Sequence, residues 1–172
     1  MALVIAHPEA RDAPLFGPVL LAAWLQTYPN EAAGIDEAWI REQRGSAASA
    51  EGTARWEEFL TAVRERPDAL FCRVVREGAD IVGFLCGRRG DVVVLGPMYL
   101  LEAAQGTGVG GRLMREFADW SGEVRTQLWV TEYNVRAIRF YERHGFRVTD
   151  ERELWRGRLP NVRMVRDGAG TA

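Results

Sequence analysis

Gln105-Gly106-Thr107-Gly108-Val109-Gly110-Gly111 lies where the character of the chain changes. Before it runs an apolar stretch, Val92 to Leu101, and after it Arg112-Leu113-Met114-Arg115-Glu116-Phe117 has helical spacing. Glycines at such a strand-to-helix junction leave backbone N–H groups uncovered by side chains. The start of a helix adds partial positive charge, so the segment is built to hold an anion such as a pyrophosphate. The loop alone does not say which molecule carries that pyrophosphate.

Composition narrows the field. A chain of 172 residues fits one domain with a sizeable core, read here as residues 1–166 followed by a flexible tail, 167–172. Hydrophobic content of 47% and charged content of 27% are those of an ordinary globular protein. All 22 basic residues are Arg, so a lysine Schiff base or lysine nucleophile is excluded. A net charge of -2 argues against nucleic acid as a partner. No apolar run approaches the roughly 20 residues of a membrane span, and Met1 to His7 lacks the features of a secretory signal. A cytoplasmic location is expected, with Cys72 and Cys86 reduced and buried in neighbouring strands. No His, Cys or acidic cluster has metal spacing, so no metal is expected.

Along the chain, Leu3 to Ala6 reads as a first strand, and Asp12-Ala13-Pro14 as the cap and start of a helix to about Gln26. Asp36 to Arg44 reads as a second helix, Gly45 to Gly52 as a loop, and Ala54 to Arg66 as a third helix stopped by Pro67. Leu70 to Glu77, Ile81 to Arg88 and Asp91 to Leu101 are β-rich runs with short turns, the pattern of an antiparallel meander. Pro97 cannot donate to a ladder, so Gly96-Pro97 predicts a bulge or a local parting of strands. A helix from the glycine loop to about Trp120, a strand Arg125 to Thr131 and a helix Asn134 to about His144 follow. Phe146 to Trp155 and Val162 to Val165 read as a closing strand pair.

Two readings of the glycines compete. Gly106, Gly108 and Gly111 satisfy the dinucleotide fingerprint, with Glu132 about 20 residues on where a ribose-binding acid belongs. That fold needs further βα units, and only about 60 residues follow the loop. The second reading includes Gln105. Gln105-x-x-Gly108-x-Gly110, after a meander and before a helix, resembles the acetyl-CoA loop of the GNAT superfamily of N-acetyltransferases. Leu128 to Phe146 strengthens this. Its Asn134, Ala137, Phe140, Tyr141, Glu142, Gly145 and Phe146 are similar to that family's second conserved block at the expected separation. The resemblance covers about Leu70 to Val165.

The resemblance implies a mixed, mostly antiparallel sheet with splayed middle strands, flanked by helices. It implies acetyl-CoA as the acyl donor and a primary amine, small molecule or peptide, as acceptor, with direct attack in a ternary complex. Backbone groups of Met98, Tyr99 and Leu100 are expected along the pantetheine arm. Those of Gln105, Gly106, Thr107, Gly108, Val109 and Gly110, with Gly111 and Arg112 beyond, are expected at the pyrophosphate. Asn134, Ala137, Phe140 and Tyr141 complete the cofactor set, Tyr141 also serving as acid toward the CoA sulfur. Many family members carry a Glu in the strand before the loop; Val92 to Gly96 has no carboxylate. Glu132 is then the nearest motif-borne candidate base, with a water-linked Tyr99 as another route. His144 reads as a helix C-terminal cation favoured by the dipole. Trp24 and Tyr28 are the expected acceptor contacts, and a homodimer is in keeping with the family. A non-catalytic acyl-CoA sensor and a nicotinamide oxidoreductase stand as the alternatives.

Overall fold

The computed structural model describes residues 2–168. Seven strands form one sheet in the order β1-β2-β3-β4-β5-β7-β6. They are β1 (Leu3–Ala6), β2 (Leu70–Glu77), β3 (Asp80–Arg89), β4 (Val93–Leu100), β5 (Thr126–Thr131), β6 (Arg147–Trp155) and β7 (Leu159–Arg166). All neighbours are antiparallel except β4 and β5, which are parallel. The helices are α1 (Ala13–Thr27), α2 (Glu37–Arg44), α3 (Ala50–Glu65), α4 (Val109–Ser121) and α5 (Val135–Glu142).

Each face of the sheet is covered by helices whose apolar stripes match it. Leu113, Met114 and Phe117 of α4, with Tyr141 of α5 and Phe146 beyond it, pack on Leu85, Val93, Leu95, Leu128 and Val130. On the other face Phe16, Leu20 and Trp24 of α1, Trp39 and Ile40 of α2 and Leu60 of α3 pack on Cys72, Val74, Phe84 and Cys86. Burying one such side chain is worth about 1.5–3 kcal/mol. Among the described residues no helix is long and apolar enough to cross a membrane.

The meander, the βα unit and the closing strand pair form as the pattern predicts, and the differences have local causes. Gly45 to Gly52 is not an open loop: Gly45–Ala48 is a 3-10 turn, and α3 begins at Ala50 behind Ser49, whose hydroxyl accepts from the Gly52 N–H at 3.1 Å. The small residues there serve close approach rather than flexibility. A Cβ on Gly17 of α1 or on Gly52 of α3 would collide with the Ala47 carbonyl. Asp12 occupies the capping position of α1 without capping it. Its carboxylate accepts instead from the Glu9 N–H (2.8 Å) and from Arg76 (2.6 Å). Helix α5 ends at Glu142, before the expected His144, and β7 begins at Leu159, earlier than its interrupting Pro160 led the pattern to indicate. In the tail, Asp167 pairs with Arg147 at 3.2 Å; the rest of the expected flexible segment, 169–172, lies outside the described residues.

Pro97 does mark a bulge. Leu85 pairs with Met98 and Gly87 with Leu95, so Gly96 and Pro97 together face Cys86 alone. The consequence appears on the other side of β4. It pairs with β5 only at Val93↔Thr126 and Val94↔Gln127, after which the two strands part.

Candidate active site

The parting of β4 and β5 opens a cavity of about 710 Å³. One wall is Met98, Tyr99 and Leu100; the facing wall is α5, through Asn134, Ala137, Phe140 and Tyr141. Antiparallel pairing fixes which β4 groups are available. The Leu101 N–H bonds the Val82 carbonyl, so by the two-residue period the Tyr99 main chain also turns toward β3. Met98 and Leu100 therefore present their main-chain groups to the gap. The Leu100 carbonyl is already taken by Gln105 Nε2 at 2.8 Å.

That bond explains the Gln of the loop. Gln105 ties the end of β4 to the glycine turn, and Arg136 of α5 donates to its Oε1 at 2.5 Å, drawing both walls to one point. Gly106 (φ 75°) and Gly108 (φ 83°) then adopt left-handed conformations that a side chain rarely tolerates. Helix α4 begins at Val109 directly behind Gly108, so its first-turn N–H groups have no intrahelical acceptor. Gly110, itself buried, and the half-buried Gly111 line the cavity with no side chain covering their main chain. A Cβ on Gly110 would already stand 3.3 Å from Leu100 and from Phe140. The cradle thus has the shape and polarity of a diphosphate site. Around it stand Arg115, Arg136 and Arg143.

Three phenols occupy the deeper part. Tyr141 is 8% exposed, and burial, with Tyr99 nearby, pushes its phenol well above the usual tyrosine range. Burial likewise raises Tyr28, beside Tyr99 and Tyr141, and Tyr99. All three are therefore protonated donors at neutral pH. Asn134 accepts from the Ala137 N–H at 3.2 Å and so caps α5 while its residue lines the cavity.

Several expected site residues stand elsewhere. Trp24 is in the core, 3% exposed, one layer behind the cavity, donating from Nε1 to the Tyr99 hydroxyl at 2.8 Å. Glu132 pairs with Arg152 at 2.6 Å and does not line the cavity. Arg112, expected through its main chain, does not line the cavity: its N–H bonds the Gly108 carbonyl at 3.3 Å and its side chain donates to the Leu3 carbonyl at 3.0 Å. The Thr107 hydroxyl donates to the Ala104 carbonyl at 2.7 Å, shaping the loop from within, and Val109 is buried in the core. Tyr28 does line the cavity.

Other lining residues escaped the sequence reading: Arg115, Arg136, Arg143, His144, Gln26 and Glu102. A helical projection finds part of this set, because Arg136, Ala137, Phe140, Tyr141 and His144 fall on one face of α5 and beyond. His144 also differs from its expected state. Burial, then Arg143, Arg115 and Arg166, push its pKa below the ordinary value, so it is a neutral ring packed at a tilt against Phe140, 4.8 Å between centroids.

With this geometry described, comparison with known proteins places the chain. Residues 30–146 match the acetyltransferase (GNAT) family, and the chain belongs to that family. It is 37% identical over 106 residues to an uncharacterised N-acetyltransferase of Mycobacterium tuberculosis strain H37Rv, a stretch covering 58% of this chain and 64% of the relative. Its fold is similar to that of the PaiA N-acetyltransferase from Thermoplasma acidophilum in complex with coenzyme A. The TM-score is 0.80 at 18% identity, over 97% of this chain and 99% of that one. A GNAT acetyltransferase from Streptococcus pneumoniae gives a TM-score of 0.73 at 19% identity, over 96% and 98% of the two chains.

Proposed function

We propose that this protein is an N-acetyltransferase that moves an acetyl group from acetyl-CoA to a primary amine by direct attack. The observation that carries the reading is the half-unpaired β4 lying beside a glycine cradle. Met98 and Leu100 offer main-chain groups to an extended amide chain in the way an edge strand does, and the pantetheine arm is such a chain. The N–H groups of Gly110 and Gly111, with Arg115, Arg136 and Arg143 around them, suit the phosphates.

In this reading the amine nitrogen attacks the thioester carbon, a C–N bond forms and the C–S bond breaks. The amine gives up a proton and the departing sulfur needs one. Tyr141 is the buried donor on the facing wall, and its phenol keeps its proton throughout the neutral range. An ordinary thiol ionises near 8.5, so full transfer from so weak an acid is uphill. Tyr141 therefore acts by a hydrogen bond that tightens as charge develops on sulfur. Glu132 stands outside the cavity, and Tyr99 is also held protonated, so neither serves as base. Deprotonation of the amine falls to water at the open mouth or to Glu102, whose carboxylate is the one acid among the described lining residues.

The test is calorimetry with coenzyme A together with thiol release from acetyl-CoA across a panel of amines. Binding and amine-dependent release are expected, with activity rising with pH as free amine accumulates. No descending limb from Tyr141 should appear below about pH 10, the ordinary phenol value. Binding without release for any amine would turn the reading toward an acyl-CoA sensor.

A further inference from the structure

Behind the deep end of the cavity lies positive charge that no carboxylate answers. Arg44, the last residue of α2, holds its guanidinium over the indoles of Trp24 (4.3 Å to the ring centroid) and Trp155 (4.7 Å). Its Nε is buried with no hydrogen-bond partner. On the same aromatic group, Arg156 lies over Trp155 at 5.4 Å and Arg158 over Trp39 at 5.6 Å. Among the described residues none of these three arginines forms an ion pair. Aromatic faces offset part of the cost of a half-buried cation, but they accept no N–H hydrogen bond of full strength.

Tyr99 connects this charge to the cavity. Its hydroxyl oxygen accepts from Trp24 Nε1 at 2.8 Å, and the positive charge of Arg44 stands close enough to act on the same phenol. A phenol has one proton to give. With the Trp24 N–H on its oxygen and a cation over that indole, the proton has no acceptor on that side, and Tyr99 forms a wall of the cavity. A donor backed by a cation is a poor partner for an ammonium group and a good one for an anion. On the same side of the cavity stand Tyr28 and Thr27, with the exposed Gln26 accepting through Oε1 from the Glu102 N–H at 3.1 Å; Glu102 is the one carboxylate among the described lining residues.

We propose that the amine acceptor also carries an oxyanion, a carboxylate or a phosphate, bound by the Tyr99 hydroxyl with Arg44 and Trp24 as the positioning residues behind it. This rests on the acetyl-transfer reading and names the substrate class of that site. The anionic group takes no part in the bond change. It orients the nitrogen toward the thioester and supplies the charge that Arg44 lacks.

The test uses matched acceptors in a thiol-release assay: phenylalanine against phenethylamine, phosphoethanolamine against ethanolamine, and putrescine as a dication. The anionic member of one pair should be favoured in kcat/KM by about tenfold or more, the scale of a charge-assisted hydrogen bond, and the pair that responds separates carboxylate from phosphate. Tyr99→Phe and Arg44→Gln should erase that preference by raising the acceptor KM, with acetyl-CoA affinity unchanged. Arg44→Lys should restore part of it. Thermal melts of each variant identify a loss that comes from unfolding, and in that case Trp24→Phe, which keeps the ring and removes the N–H, carries the same expectation. Preference for putrescine or the neutral amines, a preference indifferent to these variants, or no transfer to any pair would overturn the inference. Calorimetry on the same samples keeps the two failures apart. Loss of coenzyme A binding removes the acetyl-transfer reading itself, whereas intact binding without anion preference removes this inference alone.

Discussion

The two ends of the cleft are built by opposite means. The end we assign to the phosphates is built mainly by main chain: Gly106 and Gly108 in left-handed conformations, with Gly110 and Gly111 along the cavity, come from seven consecutive residues. The end we assign to the reaction is side chain: Tyr28, Tyr99 and Tyr141 line it and Trp24, Arg44 and Trp155 back it, drawn from α1, α2, β4, α5 and β6. One end depends on local conformation, the other on tertiary packing. Changes at one end should therefore alter affinity and changes at the other should alter rate or choice of acceptor.

Tyr141→Phe gives the largest expected effect. It should lower kcat by about 100-fold, within the range for losing a hydrogen-bond donor aimed at developing charge, while calorimetry finds acetyl-CoA affinity nearly unchanged. A parallel loss of affinity would break the division between the ends. Gly110→Val acts on the other side. Its Cβ already meets Leu100 and Phe140 at 3.3 Å, and the added methyls should weaken coenzyme A binding about tenfold or more, the cost of overpacking a tight site. With saturating acetyl-CoA, kcat should largely recover. Arg136→Ala should weaken binding several-fold and flatten its dependence on salt, as removing a phosphate-facing charge does, with an added loss from freeing Gln105. Glu132→Gln should be the smallest, within about twofold in kcat and in affinity, since it breaks only a surface pair of about 0–1 kcal/mol with Arg152. A hundredfold loss there would return Glu132 to the chemistry.

His144 sharpens the same comparison through pH. Its folded pKa is depressed, so the fold favours the neutral ring. The unfolded chain takes up that proton first, near the ordinary pKa of 6.5. Its contribution to stability is therefore present above that pH and is lost as pH falls toward the folded value. Replacement by Phe should remove this acid-side component from the dependence of Tm on pH.

What the sequence made legible follows the same division. The glycine loop, its strand and helix and the α5 block are local patterns, and Pro97 signalled the bulge because a missing N–H has few places in a sheet. The acceptor-side network was not legible. Nothing in Trp24, Arg44 or Tyr99 taken singly says that they converge, since they lie on three elements brought together only by packing on β3 and β4. Glu132 stands outside the cavity because position in a motif does not fix direction: the residue lies past the end of β5 and turns to Arg152. The small polar residues after Arg44 misled for a further reason. Composition alone does not separate a slack connector from one that must be thin to fit.

That thin connector matters beyond the fold. Ala47 touches Gly17 on one side and Gly52 on the other, and the turn it belongs to starts immediately after Arg44. A single methyl added to α1 at Gly17 would overlap the Ala47 carbonyl oxygen, so α1 and this turn could not both keep their places. The acceptor preference proposed for Arg44 and Tyr99 thus rests on small residues in the hydrophobic interior, outside the visible rim of the cleft.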